Sequence, residues 1–466
     1  MKPGTPSHVH LIGVGGTAMG ALAAMFKERG WRVTGSDGPL YPPMSDQLAA
    51  WGIEVTQGFE PAHLEPRPDL VVVGNVCRRD NPEAQVAREA GMTVLSLPGA
   101  LRKHFLEGKR SLVVAGTHGK TTTTSLLAEL LEGAGEDPSV MDGGVMRRWS
   151  SNFKLGEGPW FVIEGDEYDS AYFEKSAKFL QYDPHAAIIT SLEYDHADIY
   201  PDFEAYLDAF IRLVSLVPSQ GRLVLWAGIN DRKTLLASAS AQAVSYSVQG
   251  DAEHADWTAV PSGPGKFGLT VRGRDCGEFR TSFHGVHNLR NILAAFIMAN
   301  EVAGVDLEAL RDILPSCRGV KRRQELLGTP GGVFVYDDFG HHPTAVRETL
   351  SAIRAAHPTS RLAAAFEPRS ATACRRAHQE EYAKSFGAAD LAVIAPVGRN
   401  LPEEERLDTR QLAMDIQRSG IRAVAARSVD EVLGVLEEWA GEGDVIVMFS
   451  NGAFGGLGRR LIEALQ

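Results

Sequence analysis

The sequence predicts an α/β protein of three domains, each with a parallel sheet covered by helices. Its 466 residues suggest about three domains at roughly 150 residues each. Short apolar runs turn into helical patterns at glycine-rich junctions, and this alternation is typical of parallel sheets with helical crossovers. Apolar residues make up 44% of the chain and charged residues 23%, as in ordinary globular proteins. We therefore expect three stably folded α/β units.

The charge balance restricts the partners of the protein. The chain has 47 Lys and Arg against 59 Asp and Glu, which gives a net charge of −12 with neutral histidine. This balance argues against nucleic acid and anionic membranes as general partners, so an anionic substrate needs a local basic pocket. The amino terminus lacks the apolar core of a signal peptide, and no run of about 18 apolar residues occurs. We expect a cytoplasmic protein that does not insert into membranes.

The cysteines indicate neither a disulfide framework nor a zinc site. They form no Cys-x-x-Cys pair and lie far apart, at Cys77, Cys276, Cys317 and Cys374. A reducing compartment fits this pattern.

The first unit is expected over residues 1–108. Its strands are predicted at His8–Ile12, Trp31–Gly35, Asp69–Gly74 and Thr93–Leu97. The turn Gly13-Val-Gly15-Gly16-Thr17 follows the first strand and leads into a helix expected from Met19. Asp37 ends the second strand about twenty residues further on, so the pattern resembles a dinucleotide-binding fingerprint with a displaced third glycine. It indicates a nucleotide diphosphate and does not by itself indicate nicotinamide.

The second unit, expected over residues 109–318, contains the sharpest motif. The strand Leu112–Ala115 runs into Gly116-Thr-His-Gly-Lys-Thr-Thr122, which opens a helix. Backbone N–H groups of such a turn can cradle phosphate, Lys120 can reach the β- and γ-phosphates of ATP, and the Thr121 hydroxyl can bind Mg²⁺. Val114 stands where the full motif has its first glycine. The alternative is a glycine turn whose lysine is merely solvated, which the strand–turn–helix context disfavours.

Two acidic groups follow further strands of this unit. The strand Trp160–Ile163 is followed by Glu164, Asp166, Glu167 and Asp169, and the strand Ala186–Thr190 by Glu193-Tyr-Asp-His196. Carboxylates at the carboxyl ends of parallel strands face the same crevice as the phosphate loop and can hold Mg²⁺ there. A charge cluster alone is usually a solvated loop. His196 fits either a metal or phosphate ligand or a capped structural residue.

Two amides lie further along the second unit, after a strand predicted at Arg222–Trp226. Asn288 and Asn291 are spaced i and i+3, which puts both on one helix face where they can reach one ligand edge, such as adenine. Spacing alone favours the simpler interpretation that Asn288 caps the helix.

The third unit is expected over residues 319–466, with another doubly wound sheet. Its strands are predicted at Val333–Tyr336, Leu362–Phe366, Leu391–Ala395 and Val445–Phe449. The basic residues Arg318, Lys321, Arg322 and Arg323 supply a pocket for phosphates, or a solvated surface. His341, within Asp337–Pro343, can orient or deprotonate an amine. Turn chemistry around Gly340 explains the same residues equally well.

Taken together, these residues resemble the Mur ligases, the ATP-dependent amide-forming enzymes of peptidoglycan metabolism, over essentially the whole chain. Four separated motifs agree in order: His10-Leu-Ile-Gly-Val-Gly-Gly16, Gly116–Thr123, Glu164-Gly-Asp-Glu167 with Glu193–His196, and Gly319-Val-Lys-Arg-Arg323 followed by Asp337–Pro343. The resemblance implies a Rossmann-like amino-terminal domain for a UDP-sugar, a central P-loop ATPase domain and a Rossmann-like carboxy-terminal domain that delivers a peptide.

Within that family the chain is most similar to the branch that joins UDP-N-acetylmuramate to the murein tripeptide L-alanyl-γ-D-glutamyl-meso-diaminopimelate in peptidoglycan recycling. The segments that carry this similarity are Gly74–Pro82, Glu167–Phe179 and Glu367–Ser370. The alanine-adding branch usually has Pro-His-Arg-Tyr in the last of these regions, and this chain lacks it. Ligation to free L-alanine in de novo synthesis remains the alternative.

The same resemblance implies a role for each site residue. It places ATP at Gly116, Thr117, His118, Gly119, Lys120, Thr121, Thr122, Asn288, Asn291, Arg322 and Arg323. It places Mg²⁺ at Thr121, Glu164 and His196, and the UDP-sugar at Gly13, Gly15, Gly16, Thr17, Asp37 and Asn75. The peptide would lie near His341 and Arg369. Catalysis would use Lys120, Glu164, His196 and His341.

Two functions from other classes compete with that of a ligase. A nicotinamide-dependent UDP-sugar oxidoreductase would use the first glycine turn, but it leaves the phosphate loop and both acidic groups without a role. A non-catalytic nucleotide-binding regulator would keep the fold and lose reactive groups, whereas this chain retains Lys120, Thr121, Glu164 and His196.

Overall fold

The protein contains three large sheets, which lie one after another along the chain. The structure, a computed structural model, describes residues 7–40, 44–194, 199–252, 254–370 and 372–466. The sheets are mostly parallel, and each has buried apolar clusters on both of its faces. The predicted α/β class is therefore confirmed.

The amino-terminal sheet is parallel and has its switch point at the first strand. Its strands are β1 His8–Ile12, β2 Arg32–Asp37, β3 Glu54–Gln57, β4 Leu70–Val73 and β5 Val94–Ser96, in the order β3-β2-β1-β4-β5. Its helices are α1 Thr17–Glu28, α2 Met44–Ala50, α3 Pro82–Glu89 and α4 Leu97–Leu101. Because the strand order reverses at β1, a crevice opens at its carboxyl end, where ligands of such sheets bind.

The central domain is built on a ten-stranded sheet. The strands of the domain are β6 Arg110–Ala115, β7 Ser139–Met146, β8 Ser151–Lys154, β9 Trp160–Glu164, β10 Asp169–Ala171, β11 Glu174–Ala177, β12 Pro184–Ile189, β13 Arg222–Trp226, β14 Gln242–Val248, β15 Trp257–Gly263, β16 Lys266–Val271 and β17 Arg274–Arg280. The sheet order is β17-β16-β15-β14-β13-β12-β6-β9-β7-β8, and β10 pairs with β11 separately. The helices are α5 Lys120–Gly133, α6 Phe203–Leu216, α7 Arg232–Ala237, α8 Val286–Ile297 and α9 Leu307–Ile313.

The carboxy-terminal sheet has the order β18-β19-β23-β20-β21-β22, in which only the edge strand β18 pairs antiparallel among the described strands. Its strands are β18 Glu325–Gly328, β19 Phe334–Asp338, β20 Leu362–Phe366, β21 Leu391–Ile394, β22 Arg422–Ala425 and β23 Val445–Phe449. The helices are α10 Pro343–Ala356, α11 Gln379–Ser385, α12 Thr409–Arg418, α13 Val429–Trp439 and α14 Leu457–Ala464.

The two domain interfaces differ in chemistry. One buried apolar cluster runs from α1 into the central domain, and the rings of Trp51 and Phe153 meet across this boundary with centroids 5.6 Å apart. The buried apolar clusters of the third domain contain residues of that domain alone. Its contacts with the central domain include polar and charged pairs, such as Arg290 with Glu348 at 3.0 Å. The first interface is thus apolar in character, and the second has a marked polar part.

The sequence predicted the central parallel strands of each sheet. It did not predict the parallel strands β3, β7, β14, β15 and β22, or the strands that pair only antiparallel. Strands β1, β13, β20 and β23 have the predicted bounds, and the other predicted strands differ by one or two residues at an end. The helix expected from Met19 begins at Thr17, because Gly20 N–H already donates to Gly16 at 2.8 Å. The edge strand β17 was missed because most of its residues are exposed and leave no apolar run. Among the described residues, no helix has the length and apolar character needed to cross a bilayer.

Candidate active site

The phosphate loop connects β6 to α5 and depends on two glycines. Gly116 and Gly119 have φ values of +126° and +84°, a region that side chains rarely tolerate. A Cβ atom on Gly116 would lie 2.3 Å from the Thr190 hydroxyl, and one on Gly119 would lie 2.3 Å from Asn291 Oδ1. Both positions therefore need glycine for conformation and for space. The loop is held tightly between the end of β12 and helix α8.

Lys120 begins α5 and points into a buried acidic environment. Its Nζ donates to the carbonyl oxygen of Gly116 at 2.6 Å and to Glu167 Oε1 at 3.0 Å. Burial acts to lower the pKa of Lys120, but the charges of Glu167 and Glu164 outweigh burial and raise it. The side chain is therefore a fixed ammonium group at the mouth of the loop, as binding to phosphate requires.

Thr121 and Glu164 form the oxygen-rich side of the loop. The Thr121 hydroxyl donates to Glu164 Oε1 at 3.2 Å, and the Gly143 N–H donates to Glu164 Oε2 at 2.8 Å. Parallel pairing of β6 with β9 sets Glu164 opposite Val114, directly before the loop. A hydroxyl next to a carboxylate is the donor set that Mg²⁺ prefers, so these residues fit such an ion.

The other carboxylates after β9 divide into two groups. Glu167 contacts Lys120, whereas Asp166 pairs with Lys178 at 2.6 Å and Asp169 with Lys175 at 2.8 Å. Burial acts to raise the pKa of Asp166, but the Lys178 charge lowers it below its ordinary value. Salt bridges to lysine therefore account for Asp166 and Asp169, whereas Glu164 and Glu167 contact Thr121 and Lys120 of the phosphate loop.

A polar cluster links the phosphate loop to the third domain. Glu193 Oε2 lies 3.3 Å from His118 Nε2 and accepts a hydrogen bond from the Thr344 hydroxyl at 3.0 Å. The rings of His118 and His342 have centroids 4.8 Å apart. Burial acts to raise the pKa of Glu193, but His118, His342 and Thr344 together lower it to about 2. His196, predicted close by in sequence, lies outside the described residues.

Asn288 and Asn291 lie on the face of α8 that meets the loop. Both are buried; Asn288 Nδ2 donates to the His284 carbonyl at 2.8 Å, and Asn291 Nδ2 donates to Asn288 Oδ1 at 3.2 Å. The residue that precedes the helix is Gly285, so the interpretation of Asn288 as its cap is wrong. Asn291 instead packs against Gly119 of the loop.

The side chains of the two candidate phosphate-binding arginines of the third domain, Arg322 and Arg323, point to different partners. Arg323 Nη2 donates to the Thr121 hydroxyl at 3.2 Å, so this guanidinium reaches across to the nucleotide site. Arg322 turns back into its own domain, where Nε meets Asp337 at 3.0 Å and Nη2 donates to the Ser450 carbonyl at 2.6 Å. Of the two, only Arg323 is brought to the phosphate loop by these contacts.

His341 and Arg369 follow the parallel strands β19 and β20 at the carboxyl edge of the third sheet. His341 Nδ1 is 3.1 Å from the Phe339 carbonyl, and the Tyr382 hydroxyl donates to the His341 carbonyl. The half-exposed Arg369 side chain lies 3.7 Å from Glu367 and packs over Gly452. An exposed guanidinium at this edge can bind a carboxylate.

The glycine turn after β1 lies at the switch point of the first sheet. Gly15 N–H donates to Asp37 Oδ2 at 2.6 Å, and Gly13 N–H donates to the Ser36 carbonyl at 2.8 Å. Gly16 and Thr17 are exposed at the start of α1, and Asn75 is exposed directly after the neighbouring strand β4. The six residues predicted to bind the UDP-sugar therefore lie at one edge of the first sheet. They are Gly13, Gly15, Gly16, Thr17, Asp37 and Asn75.

Three polar residues near this site were not predicted from the sequence. They are Asp142, Gln324 and Thr344. Asp142 follows the part of β7 that pairs with β9, which ends at Met141, and Gln324 accompanies Arg323 with its amide 2.9 Å from His287 Nε2. The run Val140-Met-Asp-Gly-Gly144, an apolar strand that ends in an acid and two glycines, is the signal that would have identified Asp142.

Three successive α/β domains, a phosphate loop with a buried lysine and an arginine that arrives from the next domain define a nucleotide-dependent ligase. Three Mur ligase domain families match in order: the "catalytic domain" over residues 8–108, the "middle domain" over 114–299 and the "glutamate ligase domain" over 322–452. The chain belongs to the Mur ligase family, whose members are ATP-dependent enzymes that form amide bonds.

The relatives of this chain include ligases named for two different acceptors. UDP-N-acetylmuramate–L-alanyl-γ-D-glutamyl-meso-2,6-diaminoheptandioate ligase of Escherichia coli K12 is 37% identical over 461 residues, 98% of either chain. A UDP-N-acetylmuramate–L-alanine ligase of Rubrobacter xylanophilus is also 37% identical, but over 84% of either chain. The crystal structure of a murein peptide ligase from Psychrobacter arcticus matches 98% of both chains with 34% identity and a TM-score of 0.72.

Proposed function

We propose that this protein joins UDP-N-acetylmuramate to L-alanyl-γ-D-glutamyl-meso-diaminopimelate with ATP and Mg²⁺, in the cytoplasm and in peptidoglycan recycling. The observation that carries the chemistry is the nucleotide site, where Lys120 and Arg323 approach one loop from two domains. The acceptor is supported by the relative that is 37% identical over 98% of the chain. The domains would span residues 1–108, 109–318 and 319–466.

In the proposed reaction, the lactyl carboxylate of the sugar attacks the γ-phosphorus of ATP, the bond from this phosphorus to the β,γ-bridging oxygen breaks, and an acyl phosphate and ADP are formed. Lys120 and the loop N–H groups bind the phosphates and neutralise the charge that moves during transfer. Thr121 and Glu164 would hold Mg²⁺, which supplies further charge neutralisation when bound. Arg323 adds a positive charge that is present only when the third domain is docked on the central domain.

The neutral amine of the peptide then attacks the acyl carbon, and the tetrahedral intermediate expels phosphate to leave the amide. Water would compete with the amine, so the docked third domain has to exclude it. The contact of Thr344 with Glu193 holds the two domains together beside the loop. Arg369 would bind a carboxylate of the peptide, and His341 would lie near the incoming amine.

The acceptor is tested by phosphate release with ATP, Mg²⁺ and UDP-N-acetylmuramate, with L-alanine and murein di-, tri- and tetrapeptides compared as acceptors. We expect the tripeptide to give the highest kcat/KM. Efficient use of L-alanine without tripeptide product would assign the chain to the alanine-adding ligases. If none of these acceptors stimulated phosphate release, the assignment would be without support.

The cation is tested by chelation. We expect EDTA to abolish ligation and excess Mg²⁺ to restore it, whereas excess Ca²⁺, which is larger and prefers more ligands, should restore little. Full activity after exhaustive chelation would contradict the assignment of Thr121 and Glu164 as cation ligands.

A further inference from the structure

A second buried carboxyl group lies beside Glu164. Strands β7 and β9 are parallel neighbours with Met141 opposite Ile163, so the next residues, Asp142 and Glu164, are also adjacent. Residues paired across parallel strands point to the same face of the sheet. That face is the one covered by α5, because Val140 and Val162 pack there with the leucines of this helix.

The Asp142 carboxyl is incompletely satisfied. Only 3% of the residue is exposed, and its Oδ1 accepts a hydrogen bond from Gly144 N–H at 2.9 Å. Its Oδ2 is buried and accepts no hydrogen bond from any donor in the part of the chain that the structure describes. Burial, and then the Glu164 charge, raise the pKa of Asp142 well above its ordinary value. A buried carboxyl group with an unpartnered oxygen, next to a second carboxyl group, is costly unless a cation or a proton lies between the two.

The position of Asp142 also fits the cation that Glu164 and Thr121 would hold. A Cβ atom on Gly144 would lie 3.0 Å from Thr121 Cγ2 and 3.8 Å from Asp142 Oδ1, so both side chains line the same backbone position. The Arg323 guanidinium already supplies positive charge here, through its hydrogen bond to Thr121 and its field at Asp142. The Asp142 carboxyl group therefore lies in a region where positive charge collects.

We propose that Asp142 is a further ligand of the divalent cation, so that the ion meets Asp142 Oδ2 together with Glu164 and Thr121. The inference rests on the proposed function, because it adds a residue to the same cation site. Carboxylate and hydroxyl oxygens are the donors that hard divalent ions select. The competing explanation is structural: a protonated Asp142 that only donates to Glu164.

The substitution Asp142→Asn separates the two explanations, because an asparagine keeps a donor toward Glu164 and removes the anionic ligand. Mn²⁺ would be titrated into the full-length protein with β,γ-methylene-ATP, and free Mn²⁺ followed by electron paramagnetic resonance. We expect D142N to raise the Kd for Mn²⁺ about tenfold or more and D142E to recover most of the affinity. The matched control is D444N, because Asp444 is equally buried but pairs with Arg361 in the third domain.

A thermal measurement keeps the test decisive. Without metal, D142N should melt at or above the temperature of the native protein, since a buried carboxyl next to Glu164 is removed, and the rise in Tm on adding Mn²⁺ should shrink. A structural role predicts an unchanged rise in Tm with Mn²⁺, because the asparagine keeps the donor toward Glu164 on which that role depends. If D142N does not fold, D142S provides the same comparison with a smaller neutral side chain.

The outcomes also separate this inference from the proposed function. Loss of Mn²⁺ affinity in E164Q but not in D142N would overturn the role of Asp142 and leave the proposed cation site intact. Failure of the native protein to bind Mn²⁺ with the nucleotide analogue would overturn both. Dependence of phosphate release on the tripeptide is measured separately and is not affected by either result.

Discussion

The two domain interfaces of this protein follow opposite chemistry, and the difference indicates which one opens. The amino-terminal and central domains share one buried apolar cluster, in which Trp51 meets Phe153. Between the central and third domains, charged and polar pairs such as Glu193 with Thr344 reach the phosphate loop. Separation of an apolar interface exposes surface that water does not solvate, whereas polar groups exchange partners for water at little cost.

The two interfaces would therefore have different roles in the catalytic cycle. The apolar interface keeps the amino-terminal and central domains as one unit, in which the two substrates proposed to react first, the UDP-sugar and ATP, would have a fixed relation. The polar interface suits a domain that docks and leaves in each cycle, as interfaces between moving domains generally do. Arg323 is then a group that joins the site only on docking.

The largest expected effect is at the loop beneath the polar interface. We expect Lys120→Ala to lower ATP-dependent phosphate release by about 10³-fold, because the ammonium that neutralises the transferred phosphoryl group is removed. UDP-N-acetylmuramate affinity, measured by calorimetry, should stay within about twofold because that ligand binds in the other domain. Lys233→Ala, an exposed lysine of α7, is the matched control. Full ligase activity in K120A would refute the assigned role.

The second largest effect is expected from a substitution that disrupts the apolar interface. Phe153→Ala removes a buried ring, and we expect a loss of about 3 kcal/mol in the free energy of unfolding. In calorimetry, the amino-terminal and central domains should lose stability together. Phe386→Ala, an equally large deletion within the third domain, should lower the transition of that domain alone. If F153A shifted only one of the first two domains, the shared cluster would not be a cooperative unit.

The sequence predicted the parts of the site that are local in the chain. The phosphate loop and Glu164 follow directly from a buried strand that ends in glycine or acid, because the carboxyl ends of parallel strands meet at one edge. Asp142 was missed because β9 is inserted between β6 and β7 in the sheet, although it comes after both in the chain. The order of pairing that puts Asp142 beside Glu164 is a tertiary property.

The links between domains were beyond the sequence for a related reason. Nothing local to Thr344 indicates that its hydroxyl meets Glu193, which is 151 positions away in the chain. The basic run was predicted to bind phosphate, but only the structure separates Arg323, at Thr121, from Arg322, which pairs with Asp337. Adjacent residues differ here because Arg322 has a φ of +61°, which turns the chain between them.

A smaller effect is expected from a substitution in the polar interface itself. We expect Glu193→Gln to lower kcat for ligation about tenfold, because the charge that holds His118 and His342 together is lost. Sugar binding should not change, and Tm should fall less than in F153A. Glu204→Gln, an exposed carboxylate of α6, is the control. A scattering experiment should find E193Q more extended than the native protein; equal dimensions and equal kcat would show that this contact does not hold the domain.

The smallest expected effect is a dependence of docking on pH. His287 lies at the polar interface, near Glu348 and Gln324, and burial lowers its pKa to about 4, although Glu348 acts in the opposite direction. When the third domain leaves, His287 is exposed and regains a pKa near 6.5. The open state then binds more protons, so acid favours opening, by about fourfold at pH 6 and about 1.3-fold at pH 7, and the effect is absent above about pH 8. Fluorescence energy transfer between labels on the two domains should show this shift in the native protein and not in His287→Gln. An equal shift in the variant would assign the pH dependence to another group.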